Sequence, residues 1–198
     1  MEAIYVKQPT PSSCGPTSIK IACNMLGIHK NITPLEIFSY CSNQLKGAPW
    51  WRMTEMLDKL NINYSLHSGD FNLILENAKK YPVILSVDIH GLKHWCVLTT
   101  TRAGAYIIID PEIGYYSPTK EWLEYICWPR ACLHFCVGVE TLNKYEIPTG
   151  LKMIDEYKMV LLGEANVYFN KKLTCVFSKH ILPKSVFAYN KDGWLMYV

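Results

Sequence analysis

"PVILSVDIHGLKHWCVLTTTRAGAYIIIDP", Pro82 to Pro111, decides the fold class. Its runs "PVILSVDI", "HWCVLTTT" and "AYIIIDP" are rich in Val, Ile and Thr, which suit a pleated strand. Short turns containing Gly91 and Arg102-Ala103-Gly104 separate them, so they read as sheet strands in antiparallel succession. His94 then opens one strand and Asp110 ends the next.

Toward the N-terminus the period becomes helical. Gly15 to Leu26 carries Ile19, Ala22, Cys23 and Leu26 at helical spacing and stops at Gly27. Thr33-Pro34-Leu35-Glu36 joins an N-cap, a first-turn proline and an acid at the third position, which predicts a second helix running to about Asn43. Further helices fit Trp51 to Leu60 and Phe71 to Lys80. Toward the C-terminus, a short helix at Thr119 to Ile126 and a strand near Leu133 to Glu140 complete a first domain, residues 1–142. Helices ahead of an antiparallel sheet make this an α+β layout. Residues 143–198 hold "KMVLLG", "NVYFN", "KLTCVFS", "SVFAYN" and "WLMYV" among turn residues, and read as a small β-rich C-terminal extension. So short a segment is near the lower limit for a core of its own and is expected to pack on the first domain.

The 198 residues are 49% hydrophobic and 13% aromatic, enough to bury a real core. The net charge of +3 is spread along the chain without a basic block, which argues against nucleic acid as a partner. No apolar run has the length of a membrane span, and Met1 to Lys7 lacks the apolar core of a secretory signal, so the chain is expected to begin at Met1. Eight cysteines without an export signal point to a reducing compartment, the cytoplasm, where thiols stay free. The densest group, Cys127, Cys132, His134 and Cys136, lacks the CxxC knuckle of structural zinc sites. Packing of Cys132, His134 and Cys136 along one strand face is the preferred reading, and no metal or cofactor is expected.

In "QPTPSSCGPTS", Gln8 to Ser18, a cysteine stands directly before Gly-Pro at a helix start. A helix N-terminus and a nearby imidazolium both favour a thiolate, and a first-turn proline wastes no backbone donor. Cys14 is therefore a candidate nucleophile, whose partners must be a histidine and a polar residue that orients it. His94 and Asp110 flank one hairpin with Gly104 at its turn, and counting back equally from that turn brings the two side chains near each other. The rival His90 falls in the turn before Gly91. An amide donor for the oxyanion is available in Gln8, six residues before Cys14. Trp50 and Trp51, after Gly47-Ala48-Pro49, are candidates for the wall of a substrate groove, with core packing as the plain alternative.

The order Gln8, Cys14-Gly15-Pro16, His94-Trp95 and Asp110-Pro111 resembles the papain-like cysteine peptidases, particularly the bacteriocin-processing family that removes double-glycine leader peptides. The resemblance spans roughly residues 4 to 140, and the 80-residue interval from Cys14 to His94 matches this compact branch better than papain proper. It implies a papain-like fold and hydrolysis of a peptide bond through a thioester, at small, Gly-Gly-like residues. Cys14, His94, Asp110 and Gln8 would be catalytic, and Gly47, Trp50 and Trp51 would hold a protein or peptide substrate. Ser13 stands where the family often has an acid before the cysteine. Two other readings stay open on the residues alone. One is a structural or binding subunit, for example in a phage or viral particle, docking a partner through the C-terminal extension. The other is an isopeptidase, deamidase or transpeptidase using the same thioester.

Overall fold

The computed structural model describes residues 4–40, 47–89, 92–101, 104–112, 114–127 and 133–139, together with strand segments at 166–169, 172–177, 188–189 and 195–196. Helices α1 (Cys14–Leu26), α2 (Pro34–Ser39) and α3 (Trp50–Lys59) come first, followed by strand β1 (Tyr64–His67) and helix α4 (Phe71–Ala78). Strands β2 (Val83–Ile89), β3 (Leu92–Thr100), β4 (Tyr106–Asp110) and β5 (Gly114–Pro118) succeed one another before α5 (Lys120–Cys127) and β6 (His134–Val137). They form one antiparallel sheet in the order β1-β6-β2-β3-β4-β5, which β8 (Lys172–Phe177) and β7 (Asn166–Phe169) continue past β5. The short strands β9 (Ala188–Tyr189) and β10 (Leu195–Met196) pair separately.

Alternation along the strands divides the core. Ile84, Trp95, Val97, Ile107, Ile109, Phe135 and Val137 pack with α1, α2 and α3. Their sequence neighbours Val83, Leu85, Cys96, Leu98, Ile108 and Cys136 pack with α4 and α5. Both faces of the sheet are therefore covered, and the strands read as nearly continuous apolar runs. Phe135 is fully buried between Tyr64 and Trp95, with ring centroids 5.8 and 5.7 Å away. Truncating it to Ala would cost about 3–5 kcal/mol.

Helix α1 is buried on nearly every side, more than its spacing of apolar residues predicts. Lys20 is admitted because its Nζ donates to the carbonyls of His29 and Lys30, at 3.0 and 2.7 Å. The helix ends at Gly27, as expected, in the left-handed conformation with φ 70°. There the N–H of Gly27 donates to Asn24 C=O and that of Ile28 to Cys23 C=O, which satisfies carbonyls of the last turn. Helix α2 carries the predicted cap: Thr33 Oγ1 accepts from Glu36 N–H, and Glu36 Oε2 accepts from Thr33 N–H. It ends at Ser39 rather than near Asn43, and residues 41–46 lie outside the described residues.

Three features differ from the sequence reading. β1 and β5 were not expected: the four residues of "YSLH" are too few to show a period, and "GYYSP" is bounded by turn residues. β3 begins at Leu92, so His94 is its third residue rather than its first. The β3–β4 register pairs Val97 with Ile109, which makes His94 and Asp110 diagonal neighbours rather than a direct pair. An offset of two residues keeps both side chains on the same side of the sheet.

Candidate active site

The first turn of α1 is built to present Cys14. Ser13 precedes it with a hydroxyl turned backward: Ser13 Oγ–H donates to Thr10 C=O at 2.7 Å and accepts from Thr10 N–H at 3.0 Å. No side chain caps the helix, so the N–H groups of Cys14 and Gly15 have no side-chain acceptor, and Pro16 has no N–H to satisfy. The turn thus supplies open donors and the positive end of the helix dipole beside the Cys14 sulfur. Cys14 is buried in the core at 7% exposure yet lines a cleft of about 560 Å³.

His94 reaches the same cleft from β3 and keeps 14% of its side chain exposed. Its Nε2 lies 3.0 Å from Asp110 Oδ1, and the ring lines the same cleft as Cys14. With Nε2 on the carboxylate, Nδ1 is left to meet the sulfur. Burial alone would push the His94 pKa down. The charge of Asp110, its hydrogen bond and the contacts with Cys14 outweigh that and hold the imidazole well above the usual histidine range. Asp110 is 1% exposed, and its Oδ1 also accepts from Glu112 N–H at 2.8 Å, which fixes the carboxylate at the end of β4.

Gln8 stands beside Asp110. Its N–H donates to Pro111 C=O at 2.8 Å, and Tyr5 packs on the same corner, 5.9 Å from the ring of Tyr115. Burial, then the charge of Asp110, push the Tyr5 hydroxyl up to about 12. The side-chain oxygen of Gln8 is buried with no hydrogen-bond partner among the described residues, so no bond through that oxygen commits the amide to the fold. Neither Gln8 nor Asp110 lines the cleft itself.

Gly47, Trp50 and Trp51 do line it. The two tryptophans are 45% and 52% exposed and meet edge to face at 5.7 Å. Ser86, Lys93 and Leu133, which the sequence did not single out, line it as well. The only available hint was position: Lys93 precedes His94, and Ser86 pairs with Trp95 across β2 and β3. The thiol-rich group near residue 130 is spread through the packing. Cys127 and Cys136 belong to the core on the α4–α5 side, while His134 meets the Asn77 amide at 3.0 Å and stacks on His67. Cys132, like His90, lies outside the described residues.

Residues 2–136 match the model of the peptidase C39 family. Among solved structures, the chain is similar to the peptidase domain of Streptococcus ComA, a bifunctional ABC transporter involved in quorum sensing. Identity there is 19%, with 67% of this chain and 96% of that one covered and a TM-score of 0.55. It is also similar to a double-glycine motif protease from an AMS/PCAT transporter in complex with its leader peptide. That pair is 14% identical, covers 67% of this chain and 89% of the other, and has a TM-score of 0.52. No curated protein sequence matches significantly. Among the described residues, no helix is long and apolar enough to cross a membrane.

Proposed function

The chain belongs to the peptidase C39 family, and on that premise we propose that it hydrolyses a peptide bond with Cys14 as nucleophile, His94 as acid and base, and Asp110 as the group that orients His94. It is a cysteine peptidase; the roles of these residues are what the geometry supports. What carries the reading is one imidazole bonded to a buried carboxylate in a cleft that it shares with a thiol at a helix N-terminus.

The chemistry follows from that placement. The Cys14 thiolate attacks the scissile carbonyl carbon, and the carbonyl's electron pair moves onto oxygen. The donors we assign to that oxyanion are the Cys14 N–H, open at the start of α1, and the Gln8 amide, the latter on its place six residues before the nucleophile. When it collapses, the C–N bond breaks and the His94 imidazolium gives its proton to the leaving amine, leaving an acyl thioester on Cys14. Water then gives a proton to His94 and attacks the thioester. Loss of the thiolate releases the carboxyl product and restores the ion pair. Asp110 supports the imidazolium each time it forms.

The substrate we infer is a peptide with small residues, of the Gly-Gly kind, at the cleavage point. The double-glycine protease among the similar structures and the aromatic wall of the cleft support this. A nucleophilic thiol requires a reducing setting, and Cys14, Cys23, Cys96, Cys127 and Cys136 are all free. Residues 143–198 are read as a β-rich extension of the peptidase domain, supported by the pairing of β8 with β5, and a partner is expected to dock through it.

The reading is tested by incubating the protein with a Gly-Gly peptide, quenching in acid and mapping the modified residue by mass spectrometry. An acyl group on Cys14 in the wild type, absent from His94→Ala, is expected. Cleavage with no acyl-enzyme on any cysteine would overturn it.

A further inference from the structure

The segment that leads into Trp50 and Trp51 is anchored in an uneven way. Three consecutive carbonyls, those of Gly47, Ala48 and Pro49, all accept hydrogen bonds. Gly47 C=O takes Arg52 Nη1 at 2.9 Å, and Pro49 C=O takes the N–H groups of Arg52 and Met53. Those bonds stay within the segment and the helix it begins. Ala48 C=O alone among the three reaches across to the sheet, where it accepts the buried indole N–H of Trp95. Trp95 is in turn fixed: its ring rests on Phe135, and its carbonyl accepts from the buried Ser18 hydroxyl of α1 at 3.1 Å.

The other attachment is a contact that only glycine permits. A Cβ on Gly15 would stand 2.7 Å from Ala48 Cβ and 2.7 Å from Met53 Sδ, closer than real Cβ atoms come. Met53 has a flexible end that can give way, but the Ala48 Cβ moves only with its backbone. The segment is therefore pressed against the residue that follows the nucleophile and bonded to the residue that follows His94.

We propose that Gly47–Trp51 is a substrate shelf and that Trp95 and Gly15 are positioning residues that set its distance from Cys14, and so the size of residue the cleft admits. This rests on the reading of the cleft as a peptide site. The sheet-side wall, with Ser86 on β2, is fixed in the ladder, so the width of the cleft depends on where the shelf stands. Removing the indole N–H frees Ala48 C=O to turn toward water. Adding a methyl at Gly15 drives the same backbone outward from the other side. Two unlike changes thus converge on one effect: weaker hold on Gly-Gly and weaker rejection of larger residues.

The test is peptide binding in the Cys14→Ala background, read as affinity with the peptide checked for cleavage, so that failure of the catalytic assignment shows separately as turnover. Kd is measured for a Gly-Gly peptide and for its Gly-Val counterpart. Trp95→Phe keeps the ring on Phe135 and loses one hydrogen bond. It should raise Kd for Gly-Gly roughly five- to tenfold, the size of one net hydrogen bond, and narrow the gap between the two peptides. Gly15→Ala should act in the same direction, and it keeps the inference testable if Trp95→Phe fails to fold. Unchanged Kd values in both variants would overturn the proposal, as would equal losses for both peptides with the discrimination intact. No binding of Gly-Gly to the Cys14→Ala protein would overturn it as well.

Discussion

The two ends of helix α1 carry the same side chain in opposite circumstances. Cys14 and Cys23 are both buried, at 7% and 0% exposure, and both belong to one core cluster. At the first turn the sulfur faces a cleft, a histidine and open backbone N–H groups. Nine residues on, Cys23 is enclosed by apolar packing, and burial pushes its thiol up to about 12, with the charge of Lys20 only partly opposing this. The sequence between them is one continuous helix. Burial alone therefore does not decide whether a thiol is reactive; what matters is what stands on its open side.

Substitutions can break that comparison from either end. The largest effect belongs to Cys14→Ala, which should lower hydrolysis of a Gly-Gly peptide by about 10⁴-fold or more while leaving the far-UV dichroism unchanged, because no other group can form the thioester. Retention of even a tenth of the activity would break the assignment. Gln8→Ala should come next, with kcat down roughly 10² to 10³ and KM nearly unchanged, since its donor matters only once charge develops on the carbonyl oxygen. A rise in KM with kcat intact would instead make Gln8 a ground-state contact.

Asp110→Asn sharpens the electrostatic half of the comparison. With Asp110 ionised, His94 holds its proton well above the usual histidine range, so the ion pair persists as pH rises and is lost only when that raised pKa is passed. An amide still accepts the ring N–H but does not stabilise the positive charge. The variant should lose about tenfold in turnover, and the alkaline limb of its pH–rate profile should move down toward pH ~6.5. An alkaline limb that stays in place would mean that Asp110 only orients the ring. The smallest effect is expected at the other end of the helix. Cys23→Ala should cost on the order of 1 kcal/mol of stability by chemical denaturation and leave kcat/KM unchanged.

Much of this site was legible in the sequence because its parts are local signals. "SSCGPTS" fixes a helix start without an acidic cap, and the runs from Pro82 to Pro111 show their period openly. The His94–Asp110 contact survived an error in register because an offset of two residues preserves the side of the sheet. What escaped depends on tertiary contact. Gly15 reads as the start of a helix, and nothing in "CGP" shows that Ala48 will lie against it. Trp95 reads as an aromatic on a strand, while its bond to Ala48 spans 47 residues. The all-round burial of α1 is hidden as well, since Lys20 interrupts the apolar pattern and its partners His29 and Lys30 lie beyond the helix. Nor could β5 be seen, because the partners that make "GYYSP" a strand come from β4 and β8.

The central claim is that position on the fold, not burial, separates Cys14 from the other buried thiols, Cys23, Cys96, Cys127 and Cys136. It is tested most directly by treating the native protein with iodoacetamide at neutral pH and following each cysteine by mass spectrometry over time, in the wild type and in His94→Ala. Cys14 should label first. Cys23, Cys96 and Cys136, whose thiols burial pushes up, should remain unmodified until the protein unfolds. In His94→Ala the rate at Cys14 alone should fall. Labelling of Cys14 no faster than that of the other thiols, or at a rate unaffected by the loss of His94, would contradict the account.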